Sequence, residues 1–201
     1  MTLFLVIALA YLCGAIPTGV LIAKRLGINV RKVGSGNIGA TNVARSIGKK
    51  AGLLTLLGDV AKGLIPVLVV RFLDLGETCL ASSAVAAFLG HLFSPFLGFS
   101  GGKGVATGLG VFLGMAPQAI FLALTVFMCA FAASRIVSFA SLAAAGATPL
   151  FLFLLSYPQG YLLAGTSVAV LIVVRHRDNI IRLAKGEEQK FTLKTPSSSA
   201  S

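Results

Sequence analysis

The chain has 201 residues, 56% of them hydrophobic and only 11% charged, with a mean hydropathy of +0.93; an ordinary soluble domain carries roughly 25% charged residues. This composition excludes a soluble globular protein. The formal net charge of +11 does not point to nucleic acid, because the cations flank apolar runs instead of forming a patch on a soluble face.

Apolar runs near the ~20 residues that cross a bilayer as helix recur along the chain, which predicts an all-α, polytopic helical bundle. The alternating pattern of a membrane barrel is missing. The first run, Thr2 to Ala23, carries Gly14, Pro17 and Gly19 in its second half. It lacks a basic n-region before it and is expected to be retained as a span. Lys24 and Arg25 end it, and the polar stretch Val33 to Lys50, VGSGNIGATNVARSIGKK, follows. Its glycines let a ligand come close to the backbone. Ser35, Asn37, Thr41 and Asn42 offer small hydrogen-bonding groups, and Arg45 offers a planar charge for phosphate or carboxylate.

A second span runs from Ala51 to Phe72 and contains Asp59 and Lys62. Three residues apart on one helix face, they read either as a site in the membrane or as a pair that fixes helix packing. A third span, Thr78 to Leu97, reaches His91 near its end; then come FSGGKGVATG (Phe99 to Gly108), a short apolar run to Met115 and a break at Pro117. Gln118 to Ala133, Ile136 to Leu155 and Gly160 to Val174 complete about seven crossings, one of them short. Cys13, Cys79 and Cys129 lie in or beside apolar stretches and read as small buried hydrophobes. The membrane domain is expected to occupy 1–191, with 192–201 a disordered tail.

Placing Met1 outside puts Lys24 to Lys50, Lys103, Arg135 and the tail from Arg175 on the cytoplasmic side, with only Arg71 outside. The C-terminus is then cytoplasmic. The three polar stretches, Val33 to Lys50, His91 to Gly108 and Arg175 to Lys190, share one face, which suggests a common ligand. Gly101, Gly102, Lys103 and Gly104 directly precede an apolar helix, a good anion cradle. They do not form a Walker motif, because a glycine follows the lysine. His176 and Asn179 would face one ligand if the last helix continues through them. No nucleophile elbow, C-x-x-C or H-E-x-x-H is present, and six acidic residues make a carboxylate-bound metal improbable.

GSGNIGATNVAR at Gly34 to Arg45, Gly90 and His91 followed by SGGKGVATG at Ser100 to Gly108, and HRDNIIRLAKGEE at His176 to Glu188 closely resemble the three cytoplasmic motifs of the bacterial acyl-phosphate:glycerol-3-phosphate acyltransferases. The likeness extends to about Phe191. It departs at Ser100, where many members carry lysine, and this softens the expected phosphate affinity. The resemblance implies transfer of a fatty acyl group from acyl phosphate to the 1-hydroxyl of glycerol 3-phosphate at the inner face of the bacterial cytoplasmic membrane. The product is lysophosphatidic acid, formed in the first acylation of phospholipid synthesis. No cofactor, metal or covalent acyl-enzyme is implied; the donor is already an activated anhydride, so positioning and charge stabilisation suffice.

On this resemblance Ser35, Arg45, Lys103 and Asn179 hold the two phosphates, with the amides of Gly101 to Gly104 lining one of them. Asn37 and Thr41 orient the glycerol or donate to the oxyanion. His176 acts as base or orients the hydroxyl, unless a donor phosphate oxygen takes that work, and His91 is as readily structural. Ser35, Lys103, His176 and Asn179 form the implied catalytic set. The partners implied are the two substrates and membrane lipid, whose acyl chains enter along apolar helix faces. The rival reading is a membrane transporter of a small phosphorylated anion, whose sites share glycines, helix N-termini and cations. Against it, the polar groups gather at one face and no inverted repeat is visible.

Overall fold

Proline at position 17 divides the first apolar run. It has no N–H to donate and its preceding residue is pushed out of the helical region; Ile16 sits at φ −56°, ψ 119°. In the computed structural model, which describes residues 1–192, the expected span Thr2 to Ala23 is therefore two helices, α1 (Thr2–Ala15) and α2 (Thr18–Arg25). A short helix α3 (Ala40–Ser46) follows the polar loop. Then come α4 (Lys49–Phe72), α5 (Gly76–Leu92), α6 (Val105–Met115), α7 (Pro117–Ser134), α8 (Val137–Leu154), α9 (Gln159–Arg175) and α10 (Arg177–Ala184). Among the described residues there is no strand. The tail expected to be disordered lies, from residue 193 on, outside the described residues.

Among the described residues five segments are long and apolar enough to cross a membrane: Thr2–Arg25, Lys49–Phe72, Gly76–Leu97, Pro117–Ser134 and Val137–Leu154. Two more, Val105–Met115 and Gln159–Arg175, are apolar but shorter. At 1.5 Å per residue α6 rises about 16 Å, roughly half a hydrocarbon core. Large apolar side chains such as Phe4, Phe72, Phe121, Phe153 and Leu163 face outward, as lipid-facing positions do. Cys129 is also exposed and Cys13 and Cys79 are half-buried, which corrects the expectation that all three are buried. In a membrane the apolar side of a helix has no need to turn inward.

Small residues set the helix crossings. α1 packs chiefly on α5, where a Cβ on Gly14 would collide with the Ala87 carbonyl and one on Gly90 with that of Tyr11. α4 packs on α6 in the same way, Gly63 against Thr107 and Gly110 against Val60. Backbones approach this closely only where a residue without a side chain leaves the room.

The break at Ile16 is chemically used. Its carbonyl has lost its helical partner and accepts from Lys62 Nζ at 2.8 Å, and the Ala15 carbonyl accepts from Ser94 Oγ at 2.6 Å. Lys62 also pairs with Asp59 at 2.8 Å, and Thr18 Oγ1 donates to Asp59 Oδ1. His91 Nδ1 stands 3.7 Å from the same carboxylate. Pro66, inside α4, removes the N–H that would have reached the Lys62 carbonyl, and Cys13 Sγ donates to that carbonyl at 3.6 Å. Asp59 and Lys62 thus lock α1, α2 and α4 together. Only Asp59 borders the cavity described next.

Candidate active site

The three polar stretches meet around one cavity of about 1410 Å³. Ser35, Asn37, Thr41, Arg45, Gly101, Gly102, Lys103, Gly104, His176 and Asn179 all line it. The interiors of α6 to α9 supply its apolar lining, including Phe112, Ile120, Leu124, Ala145 and Val168. One space therefore holds both a cationic, amide-rich wall and an apolar one.

The first wall is organised by Asn42, buried at 5% exposure. Its Oδ1 accepts from the Ser35 N–H at 2.9 Å and from Ser46 Oγ at 3.3 Å. Its Nδ2 donates to the carbonyls of Asn37 (2.8 Å), Val33 (3.1 Å) and Val30 (3.4 Å). The loop from 30 to 37 is wrapped round this one amide, and Gly34, at φ +58° and pressed on Asn42 Oδ1, allows the wrapping. Ser35 is left exposed with its Oγ 3.5 Å from the Asn37 N–H.

The second wall differs in detail from expectation. The amides of Gly101 and Gly102 donate to the Leu92 and His91 carbonyls at 2.9 and 3.3 Å. They are spent on the end of α5 and do not face an anion, although both residues border the cavity. Their carbonyls accept from Arg175, Gly101 from Nη2 at 2.8 Å and Gly102 from Nε at 3.1 Å. The Ser100 carbonyl accepts from Arg31. Two guanidiniums thus hold three successive carbonyls. The amides left for an anion lie one turn on, at Val105, Ala106 and Thr107, ahead of the first α6 bond from Gly108 N–H to the Gly104 carbonyl. Gly104 starts that turn at φ +82° and packs on Phe88 and Leu92, so a side chain has neither the conformation nor the space.

The last helix does not continue through His176. α9 ends at Arg175 and α10 begins at Arg177, with His176 capping both at φ −99°, ψ 11°. Asn179 nevertheless remains beside it in the first turn of α10. His176 is 3% exposed, and burial pushes its imidazole down to about 4 against an opposing hydrogen bond to Ile172. Its Nδ1 lies 2.8 Å from the Ile172 carbonyl, an acceptor only, which assigns the proton to Nδ1 and leaves Nε2 a lone pair. Lys103 Nζ donates to Asn179 Oδ1. Burial lowers the Lys103 ammonium below its ordinary range, with the Glu188 carboxylate working in the other direction.

Sequence reasoning missed two residues of the site. Glu188 borders the cavity; its Oε1 accepts from Asn179 Nδ2 (2.5 Å) and Ser138 Oγ (2.7 Å), and its Oε2 from Arg182 Nε (2.6 Å). Burial pushes this carboxyl up, but the three donors outweigh it and hold it below the usual range. The signal available was a rare acid inside a basic motif. Arg175, read as an orientation charge, is a loop clamp; nothing in its sequence position separates the two roles.

Relatives share most of this chain's length. The sequence model of the family described as glycerol-3-phosphate acyltransferase matches residues 4–186. A glycerol-3-phosphate acyltransferase of Geotalea daltonii is 51% identical over 183 residues, 90% of this chain and 94% of that one. One from Geobacter sulfurreducens is 50% identical over 186 residues, 92% and 95% of the two chains. Two crystal structures of PlsY, an integral membrane glycerol 3-phosphate acyltransferase, in its glycerol 3-phosphate and lysophosphatidic acid forms, superpose with TM-scores of 0.91 and 0.89. They are 41% and 40% identical to this chain, and each match covers 96% of both chains. With fold, motifs and length in agreement, the chain belongs to the glycerol-3-phosphate acyltransferase family.

Proposed function

We propose that the protein transfers a fatty acyl group from acyl phosphate to the 1-hydroxyl of glycerol 3-phosphate, releasing lysophosphatidic acid and phosphate. The observation that carries this reading is the single cavity with a cationic wall and an apolar wall, which suits a polar acceptor and an acyl chain meeting at one carbonyl. Ser35, Arg45 and Lys103, with the first-turn amides of α6, bind the two phosphates. Asn37 and Thr41 orient the glycerol. The hydroxyl oxygen forms the new C–O bond, the carbonyl–phosphate bond breaks, and Asn179 and Lys103 stabilise the charge that develops. An imidazole at about 4 is a poorer proton acceptor than a phosphate with its second pKa near 6. His176 therefore orients the hydroxyl through Nε2 while the proton ends on phosphate.

The membrane domain spans 1–191 and crosses seven times, α6 and α9 by shorter helices than the rest. Its N-terminus lies outside, its C-terminus lies in the cytoplasm, and the cavity faces the cytoplasm at the inner membrane; the basic loops support this orientation. Acyl transfer by purified protein in detergent tests the reaction, with palmitoyl phosphate and palmitoyl coenzyme A as rival donors and Lys103→Ala alongside. Lysophosphatidic acid from the phosphate donor only, lost in the variant, is the expected result. Product from the coenzyme A donor alone would overturn the donor assignment.

A further inference from the structure

Beyond residue 186, where the family match ends, the chain runs on along the cavity. Gln189 and Phe191 border the cavity, and the whole segment engages Arg45. Arg45 Nη1 donates to Gln189 Oε1 (3.3 Å), and Nη2 donates to the carbonyls of Gln189 (3.2 Å) and Lys190 (3.3 Å). The guanidinium carbon sits 5.6 Å over the Phe191 ring. The far side of the segment is anchored as well. The Phe191 N–H donates to the Arg135 carbonyl at 2.7 Å, and its ring meets Phe131 edge-on at 6.1 Å. The segment thus bridges α3 to the α7–α8 turn.

Every partner of Arg45 here is neutral. Among the described residues no carboxylate lies within ion-pair distance of it, whereas Arg182 is paired with Glu188 at 2.6 Å. Carbonyls and a ring fix the rotamers of a long, flexible side chain and leave its charge uncompensated. Its buried Nε has no hydrogen-bond partner among the described residues.

We propose that Gln189–Phe191 is a positioning strap that pre-orders Arg45 for the phosphate of glycerol 3-phosphate. This rests on the reaction assigned above. Ordering a cation in advance removes an entropy cost that substrate binding would otherwise carry. The strap itself touches no reacting atom, so its loss raises KM for glycerol 3-phosphate and spares kcat.

The test varies glycerol 3-phosphate at fixed palmitoyl phosphate, using the wild-type chain, Phe191→Ala, Phe191→Trp and a chain ended after Glu188. Phe191→Ala should raise KM about fivefold, equivalent to about 1 kcal/mol, with kcat within about twofold. Phe191→Trp should restore the wild-type value, because an indole face also holds a cation. The shortened chain, which keeps the Glu188 contacts, should raise KM more than about tenfold. Unchanged KM in Phe191→Ala and the shortened chain would overturn the proposal. So would a lower KM in the shortened chain, which would make the strap a competitor, or a fall in kcat and Tm with KM constant. If the wild-type chain forms no lysophosphatidic acid, the assigned reaction fails, and calorimetric titration with glycerol 3-phosphate still decides the strap. A Kd about fivefold weaker in Phe191→Ala upholds it; equal Kd values, or no binding to the wild-type chain, overturn it.

Discussion

Replacing Asn42 by Asp changes one side-chain nitrogen to oxygen and keeps the shape, so it isolates the chemistry that holds the first wall of the cavity. The Oδ1 acceptor for the Ser35 N–H survives. The two Nδ2 hydrogens, shared among the carbonyls of Asn37, Val33 and Val30, are lost, costing about 1 kcal/mol each. An oxygen then faces three carbonyl oxygens at a buried position, and leaving such groups unpaired adds about 1–3 kcal/mol. The expected destabilisation is about 3–5 kcal/mol at neutral pH, enough to free the loop and raise KM for glycerol 3-phosphate by more than about tenfold. Burial among carbonyls raises the folded-state pKa of the new carboxyl above its unfolded value. Its protonated form can donate one bond, so the loss is smallest at low pH and grows as pH rises through the unfolded pKa. Thermal unfolding in detergent between pH 5 and 8, with acyl-transfer kinetics alongside, checks both parts. A variant with wild-type Tm and KM across that range would refute the view that Asn42 organises the loop.

Gly110→Leu drives a side chain into the Val60 carbonyl at the α4–α6 crossing; overpacking of this kind costs about 1–3 kcal/mol or more, read as a lower Tm in detergent. His176 is neutral at pH 7, its imidazole held at about 4, below its ordinary 6.5. The folded state therefore binds fewer protons between those values, and stability is lost as pH falls from 6.5 towards 4, by at most about 3 kcal/mol. Tm of the wild-type chain should fall more steeply over that window than Tm of His176→Asn. Glu188→Gln removes the carboxylate that counters the lowering of the Lys103 ammonium. The alkaline loss of acyl-transfer activity should then move to lower pH; an unmoved limb would mean that the Lys103 charge is not limiting there.

What was legible in the chain was whatever composition and spacing control. The apolar runs predict α4 and α7 to α9 to within about two residues, because hydrocarbon thickness leaves little freedom in a span. Convergence of the three polar stretches was also legible, since cations that flank spans order the loops by face. What stayed hidden depends on which partner a backbone group finds. Gly101 and Gly102 read as an anion cradle until their amides are seen bonded to the end of α5. Pro17 lies inside what reads as one unbroken span, yet the carbonyls it frees are taken by Ser94 and Lys62, partners 78 and 46 residues away from Ile16 in sequence and invisible to local pattern. Asn42, one polar residue among several in its motif, stands out only through the four loop groups it ties together.

The break between α1 and α2 also bears on how the chain enters the membrane. A helix carrying an aspartate and a lysine is a poor substrate for insertion, each charge adding about 2.5–3.5 kcal/mol near the middle of a span. The groups that receive these charges, the Ile16 carbonyl and the Thr18 hydroxyl, are synthesised some 40 residues before them, in line with growth from the N-terminus. Growth from the N-terminus lets this receptor be ready before α4 is made. With the first span in place, the second meets partners that offset its charges, so the break at Pro17 favours assembly from the N-terminus.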